Sequence, residues 1–223
     1  MISTSGISID PEKLEAVKAW PKPRNQKDVQ SFLGFANYSR KFIQNYASLA
    51  KLLTALTQKG INFEWDNSCE KAFETLKAKF LEAPILRMFD PRLPIKLETD
   101  ASDYAIGAVL LQPDLDDKWH PCVFISKTFS GAELNYSTPD KELIAIYIAF
   151  VEWRSYLEGA DHPVLVRSDH ENLQTFATTK KLSRRQARWW ETMSTIRFKI
   201  EHIRGEENKR ADALSRLGKP LKD

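Results

Sequence analysis

The sequence has little of what marks several specialised protein classes. Its 223 residues include only two cysteines, Cys69 and Cys122, which lie far apart along the chain. One such pair cannot form a disulfide framework, and His120 beside Cys122 is too small a ligand set for a metal site. The first residues contain neither the basic segment nor the apolar segment that directs secretion. We therefore expect reduced thiols in an intracellular protein.

Long apolar runs are also missing. The longest uninterrupted run is Leu143 to Val151, nine residues, whereas a membrane-spanning helix needs about 18 or more. We therefore expect no membrane partner. Hydrophobic residues make up 42% of the chain and charged residues 28%, which is typical of folded globular proteins and excludes collagen-like or disordered ones. At about 150 residues per domain, the length allows one or two domains.

Neither sign of charge dominates, because 33 basic side chains against 30 acidic ones leave a net charge of +3. The overall charge therefore favours no class of partner. One local stripe differs, since five basic residues occur there with no acid among them: Lys180, Lys181, Arg184, Arg185 and Arg188. Trp189 and Trp190 follow this stripe. We expect both to pack in the core, as helical tryptophans usually do, with base stacking as the alternative.

The first half of the chain has the periodicity of helices, over residues 10–83. Asp10 followed by Pro11 is typical of a helix start, and Asn25 can cap a second helix. A third helix is predicted from Ser68 to Leu81, where apolar residues recur on one side. This half is predicted to be mostly helical.

From Leu86 onward the pattern changes to alternation, and prolines at positions 84, 91 and 94 mark the change. The predicted elements are strands at 95–100, 106–112, 122–128, 164–166 and 197–203, a helix capped by Thr138 with Pro139 at its first position, and a closing helix at 209–217. This order describes a mixed α/β domain. The predicted boundary divides the chain into residues 1–85 and 86–223.

Four acidic residues lie at strand ends or on helices of this α/β domain: Asp100, Glu142, Asp169 and Asp212. Each also has a purely structural interpretation. Asp100 can cap a turn, and Glu142 can be a first-turn acid favoured by the helix dipole. Asp169 can cap a following helix, and Asp212 can be an ordinary solvated acid.

Taken together, the four acids can converge on one edge of a small sheet. Clusters of carboxylate oxygens bind Mg²⁺ or Mn²⁺. Two such ions about 4 Å apart suit phosphodiester hydrolysis, because one activates water and the other stabilises the leaving oxygen. We therefore predict a site for two Mg²⁺ ions, with Mn²⁺ as the alternative.

Four blocks of sequence resemble the ribonuclease H domain of reverse transcriptases from gypsy-class LTR retrotransposons: TDASDYAIGAVLLQ (99–112), KELIAIYIAF (141–150), VRSDHENL (166–173) and HIRGEENKRADALSRL (202–217). The first half resembles the thumb or connection region of the same polyproteins, in ISIDPEKLEAVKAWPKPRNQKDVQSFLGFANYSRKFI and FEWDNSCEKAFETLKAKFLEAPIL. The resemblance implies a ribonuclease H-like α/β fold, a mixed five-stranded sheet flanked by helices, after a small, mostly helical region. It also implies a location in the cytoplasm, in virus-like particles or in the nucleus.

By this resemblance, the four acids are the family's catalytic and metal-binding tetrad. Asp100 then bridges both metal ions, and Asp212 helps to bind the ion that activates water. Glu142 and Asp169 hold the other ion.

The resemblance also assigns roles to basic residues. His202 occupies the place of a mobile histidine that assists turnover in related enzymes, although its alternation with Phe198 and Ile200 equally fits a strand histidine. Three arginines of the basic stripe are expected to contact duplex phosphates: Arg184, Arg185 and Arg188.

The implied function is hydrolysis of the RNA strand of RNA/DNA hybrids, and the alternative is a noncatalytic nucleic-acid-binding remnant. A strand-transfer integrase is rejected, because the position that would need its glutamate holds Arg204. No tyrosine is followed by the pair of aspartates that polymerisation requires. The resemblance therefore implies a nuclease part of a polymerase, whose partners are an RNA/DNA hybrid and either the rest of a reverse transcriptase or a second copy.

Overall fold

The chain folds into a mostly helical region followed by a mixed α/β region. The computed structural model describes residues 1–3, 6–43, 46–168 and 182–203. The helical region begins with a short antiparallel hairpin and continues with four helices: β1 (Ile2–Ser3), β2 (Gly6–Ile7), α1 (Pro11–Lys18), α2 (Gln26–Tyr38), α3 (Tyr46–Ala55) and α4 (Asn67–Leu81). A 3₁₀ turn, Arg40–Phe42, joins α2 to the chain before α3.

Side-chain caps fix the starts of three of these helices. The capping acceptors are Asp10 for α1, Asn25 for α2 and Asp66 for α4. The caps at Asp10 and Asn25 confirm the sequence prediction. Helix α4, predicted to begin at Ser68, begins at Asn67. The apolar sides of the helices meet in one buried cluster, whose largest fully buried side chains include Phe32, Phe73 and Phe80.

The α/β region contains a five-stranded sheet with helices packed on it: β3 (Lys96–Ala101), β4 (Ala105–Pro113), β5 (Trp119–Thr128), α5 (Thr138–Glu152), α6 (Arg154–Leu157), β6 (Val164–Ser168), α7 (Arg184–Met193) and β7 (Phe198–His202). The strand order is β5-β4-β3-β6-β7. The first three strands are antiparallel, and β6 runs parallel to both β3 and β7. The mixed five-stranded sheet predicted from the sequence is therefore confirmed.

Helix α5 forms the centre of the second core. It packs across β3 and β4, and α7 packs on α5. Trp189 of α7 is 7% exposed and stacks on Tyr147 of α5, with ring centres 6.0 Å apart. Trp190 meets Phe198 of β7 edge to face at 6.0 Å. The prediction of core packing is confirmed for Trp189, and Trp190 is partly buried against the same core.

The two regions have separate cores but touch each other. Leu86, which we predicted as the first residue of the second region, instead exchanges two backbone hydrogen bonds with Ile7 and lies in the first core. Gly6 has φ of +131°, and a Cβ there would clash with the carbonyl of Leu86, so this close approach needs glycine. Phe124 of β5 also packs against the first core. The division into residues 1–85 and 86–223 stays a prediction.

Several elements differ from the sequence prediction or lie beyond its test. The β1–β2 hairpin and the full extent of α3 were not predicted, and Ser137, not Thr138, caps α5. The predicted helix at 209–217 lies outside the described residues.

Within the described ranges, no helix is both long and apolar enough to cross a membrane. Cys69 and Cys122 are both free and buried, and burial raises the pKa of the Cys122 thiol to about 12.

Candidate active site

Asp100 lies inside the central strand β3, opposite Gly107 of β4. It is 4% exposed. The turn that follows the strand is held by Ser102, whose Oγ accepts hydrogen bonds from the backbone N–H groups of Tyr104 and Ala105 at 3.3 and 3.1 Å. Because Ser102 supplies the turn's capping oxygen, the structure gives no support to the turn-capping interpretation of Asp100.

Glu142 lies on α5, one turn beyond the start of the helix. Ser137 is the N-cap, and the acid of the first turn is Asp140. The helix-dipole interpretation therefore belongs to Asp140, and the structure does not support it for Glu142. Glu142 is 4% exposed, and its Oε1 accepts a hydrogen bond of 3.3 Å from the backbone N–H of Ala101.

This hydrogen bond brings two predicted site residues together, because Ala101 directly follows Asp100. Both carboxylates are more than nine-tenths buried. Burying two ionised carboxylates is unfavourable unless a cation, a proton or hydrogen-bond donors compensate them. Carboxylate oxygens are also the ligands that Mg²⁺ and Mn²⁺ prefer, so the donor set fits a hard divalent cation.

The other two acids of the predicted tetrad, Asp169 and Asp212, lie outside the described residues. In the part of the chain that the structure describes, no three His, Cys, Asp or Glu side chains form a group that could hold a metal ion. Asp169 follows Ser168, the fully buried last residue of β6. Since β3 and β6 are parallel neighbours, their carboxyl ends lie at the same edge of the sheet.

His202 is the last residue of β7 and pairs with Ser168 in the parallel register. The backbone N–H of Ile203 donates to the carbonyl of Ser168 at 3.0 Å, which extends this pairing. The strand position proposed as an alternative for His202 is therefore confirmed. Its role in turnover stays a prediction.

Two charged groups near this edge were missed by the sequence analysis. Lys141 is only 8% exposed, and its Nζ donates to the carbonyl and the carboxylate of Asp103 at 3.3 and 3.4 Å. Arg167 of β6 forms ion pairs with Glu201 at 3.1 Å and with Glu98 at 3.9 Å. The apolar periodicity of α5 and β6 could have indicated that Lys141 and Arg167 lie near buried faces. Nothing in the sequence identifies the partners of these two side chains.

The three arginines predicted to bind phosphate differ in their surroundings. Arg184 and Arg188, one turn apart on α7, are exposed. Arg185 is half-buried, and its Nη2 lies 2.8 Å from Oδ2 of Asp140. The structure therefore gives Arg185 an internal partner, and the phosphate contact predicted for it has no support in this geometry.

Residues 65–166 match a family described as the RNase H-like domain found in reverse transcriptase. This part of the chain is therefore an RNase H-like domain of the reverse-transcriptase kind. Over 218 residues, 97% of its length, the chain is 39% identical to the Transposon Tf2-3 polyprotein of Schizosaccharomyces pombe and equally to the Tf2-4 polyprotein. The resemblance to gypsy-class polyproteins is thus confirmed. The chain spans 16% of the length of these relatives.

Two solved structures share the fold. The foamy viral protease-reverse transcriptase in complex with dsDNA has a TM-score of 0.75 at 22% identity, covering 92% of this chain and 43% of that one. The same enzyme in complex with an RNA/DNA hybrid has a TM-score of 0.72 at 22% identity, covering 100% of this chain and 30% of that one. The predicted ribonuclease H-like fold is confirmed by these similarities.

Proposed function

We propose that this chain hydrolyses the RNA strand of RNA/DNA hybrids in a metal-dependent reaction. The observation that carries the proposal is the burial of two acidic residues, Asp100 and Glu142, on elements that are joined by the hydrogen bond from the Ala101 N–H to the Glu142 carboxylate. Burying two acidic residues on adjoining elements is unfavourable for folding, whereas a divalent-metal nuclease needs such carboxylates in its site. The RNase H-like domain match supports the same reaction class.

The residues that would hold two Mg²⁺ ions, or Mn²⁺, are Asp100, Glu142, Asp169 and Asp212. Bound ions of this kind supply an activated water and stabilise the leaving oxygen. The chain's own contribution is to hold the carboxylates in place before substrate arrives: β3 fixes Asp100, and the Ala101 N–H orients Glu142. Asp169 directly follows the buried residue Ser168 in the sequence. The role of Asp212 rests on the sequence resemblance.

We assign duplex binding to exposed basic residues of α7. Arg184 and Arg188 lie one turn apart on α7 and are exposed, whereas Trp189 of the same helix is buried. Contacts with phosphates provide affinity without sequence preference. The solved foamy viral enzyme binds an RNA/DNA hybrid, and we propose the same class of ligand for this chain.

The second candidate function is noncatalytic binding of nucleic acid, which the exposed arginines alone would serve. A labelled RNA/DNA hybrid, incubated with Mg²⁺, with Mn²⁺ or with EDTA, separates the two. We expect RNA cleavage with either metal and none with EDTA. Binding of the hybrid without cleavage under every metal condition would leave only the second candidate.

The wider setting of the activity is also a proposal, because the chain corresponds to 16% of its polyprotein relatives. We propose that it works beside the palm of a reverse transcriptase or a second copy of itself. We further propose that it does so inside the cell, in the cytoplasm, in virus-like particles or in the nucleus.

A further inference from the structure

The first turns of α5 and α7 are joined through a single carboxylate. Asp140, in the first turn of α5, accepts hydrogen bonds from Nη2 of Arg185 at 2.8 Å and from Nε2 of Gln186 at 2.9 Å. The side chain of Asp140 is 11% exposed. Its two oxygens therefore each have a donor from α7 in a place with little access to water.

Both donors are themselves held in place. Gln186 forms a capping box with Ser183, accepting from the Ser183 N–H at 3.0 Å while its own N–H donates to the Ser183 Oγ at 3.2 Å. The guanidinium of Arg185 lies over the ring of Tyr136, 3.8 Å from its centre. An arginine fixed on an aromatic ring and paired with a carboxylate loses little further freedom when it acts as an anchor.

This anchor is close to the candidate active site along α5. Asp140 precedes Glu142 by two residues in the same helix, and the Glu142 carboxylate accepts from the Ala101 N–H next to Asp100. A helix moves as a stiff unit over two residues, so a shift at Asp140 is transmitted to Glu142. The same hydrogen bonds also fix the start of α7.

We propose that Arg185, acting through Asp140, is a positioning residue that sets the place of Glu142 in the active site. This inference rests on the proposed nuclease function. It reassigns Arg185 from the phosphate-binding role that we predicted from the sequence, and it leaves that role to Arg184 and Arg188. A displacement of about 1 Å at a reacting group can lower the rate by about 100-fold, so a loosened anchor is expected to lower kcat by about 10-fold to 100-fold.

The central test replaces Arg185 with Met, which keeps the aliphatic stem on the Tyr136 ring and removes the charge. We expect kcat to fall by about 10-fold or more while KM for the hybrid changes less than about threefold. Arg185→Lys restores a cation opposite Asp140 and should recover most of the lost kcat. Arg184→Ala should show the opposite pattern, with KM raised and kcat retained, because it removes a phosphate contact.

A matched control removes an arginine ion pair far from the site. Arg154 pairs with Glu158 at 2.7 Å on the exposed side of α6, and Arg154→Ala should leave both kinetic constants unchanged. Asp140→Asn removes the same ion pair as Arg185→Met, but by changing the acidic partner instead of the basic one. The double variant should therefore be no slower than the slower single variant.

Two measurements separate this inference from the proposed function. Hybrid affinity against salt concentration, measured with EDTA so that no cleavage occurs, should keep its slope in Arg185→Met and lose about 0.9 units in Arg184→Ala. The rise in melting temperature on adding Mg²⁺ should be smaller in Arg185→Met than in the parent. A parent that binds Mg²⁺ but cleaves nothing would contradict the proposed function. The positioning role of Arg185 would then be tested by the difference in the Mg²⁺-induced rise in melting temperature between the parent and Arg185→Met.

The positioning role would be overturned by a flattened salt slope in Arg185→Met together with an unchanged kcat, which would mean a phosphate contact. It would also be overturned if Arg185→Lys were as slow as Arg185→Met, since the cation would then not matter. Should Arg185→Met fold poorly, Asp140→Asn, which keeps the shape of the side chain, gives the same reading of kcat against KM.

Discussion

At the scale of single residues, Asp100 carries the sharpest expectation, because it is 4% exposed in the central strand and the next residue, Ala101, donates to the Glu142 carboxylate. Asp100→Asn keeps the shape of the side chain and removes its charge. We expect RNA cleavage to be abolished while the fold survives, and most of the stabilisation by Mg²⁺ to be lost, since that stabilisation comes from binding to the folded site. Cleavage assays and thermal unfolding with and without Mg²⁺ measure both effects.

Asp116→Asn is the matched control for this change, because the Asp116 side chain is 77% exposed in the β4–β5 loop. It should alter neither cleavage nor the Mg²⁺ effect. If Asp100→Asn cleaves the hybrid at a rate close to that of the parent, Asp100 is not a metal ligand in the reaction.

Asp114 in the same loop predicts a pH effect on stability. The backbone N–H of Lys118, and then the side chain of His120 at 2.7 Å, lower the pKa of Asp114 to about 2. A carboxylate whose pKa is lowered by folding stabilises the protein above its unfolded pKa of about 3.9, and this contribution is lost as the pH falls through about 2. Asp114→Asn should therefore lower the melting temperature at pH 5, and the difference from the parent should disappear near pH 2. A difference that is constant from pH 5 to pH 2 would refute this origin.

At the scale of elements, the start of α5 tests a correction that the structure made to the sequence. Ser137 and Thr138 both carry a hydroxyl and both precede Pro139, so the sequence could not tell which caps the helix. In the structure Ser137 has extended backbone angles, and its Oγ accepts from the Asp140 N–H at 3.4 Å. Ser137→Ala should lower the free energy of unfolding by about 1 kcal/mol, and Thr138→Ala by clearly less. A larger loss for Thr138→Ala than for Ser137→Ala in urea unfolding would contradict Ser137 as the cap.

Helix α7 predicts a separation of roles along its length. Arg184→Ala and Arg188→Ala should each weaken hybrid binding across sequences and flatten the plot of log K against log salt by about 0.9. Their effect on stability should be small, because exposed charges contribute little to folding. Unchanged salt slopes in both variants would remove α7 from the binding surface.

These elements also show how far a sequence can be interpreted. The alternation around Leu97 and Thr99 predicted β3, and the resemblance picked Asp100 and Glu142 from thirty acids. The anchoring role of Arg185 could not be predicted, because it depends on α7 packing against α5, a contact between residues far apart in the chain. The β1–β2 hairpin was missed because strands of two residues are too short to show alternation.

At the scale of the whole molecule, the two regions share more contacts than the change in periodicity near Leu86 suggested. The family match at residues 65–166 begins before α4, whose buried side chains belong to the first core, and continues into the sheet. Lys51 of α3 lies over the ring of Tyr104, 4.4 Å from its centre, in the turn that follows β3. The helical region therefore contacts the turn after the strand that carries Asp100, as well as the outer strand β5.

The last prediction concerns the independence of the two regions. Phe124 of β5 allows it to be tested both in the full chain and in the isolated α/β region. Residues 86–223 have their own buried cluster, so we expect this fragment to fold alone, but with a lower melting temperature and weaker hybrid binding than the full chain. In the fragment, Phe124 loses the first core that covers it, and an exposed phenylalanine on a sheet promotes aggregation. Phe124→Thr keeps a residue that suits a strand. It should raise the solubility of the fragment, yet lower the free energy of unfolding of the full chain by about 2 kcal/mol. If Phe124→Thr does not destabilise the full chain, the contact between the two regions is not a stable one. If the fragment fails to fold even with Phe124→Thr, the helical region and the α/β region form a single folding unit.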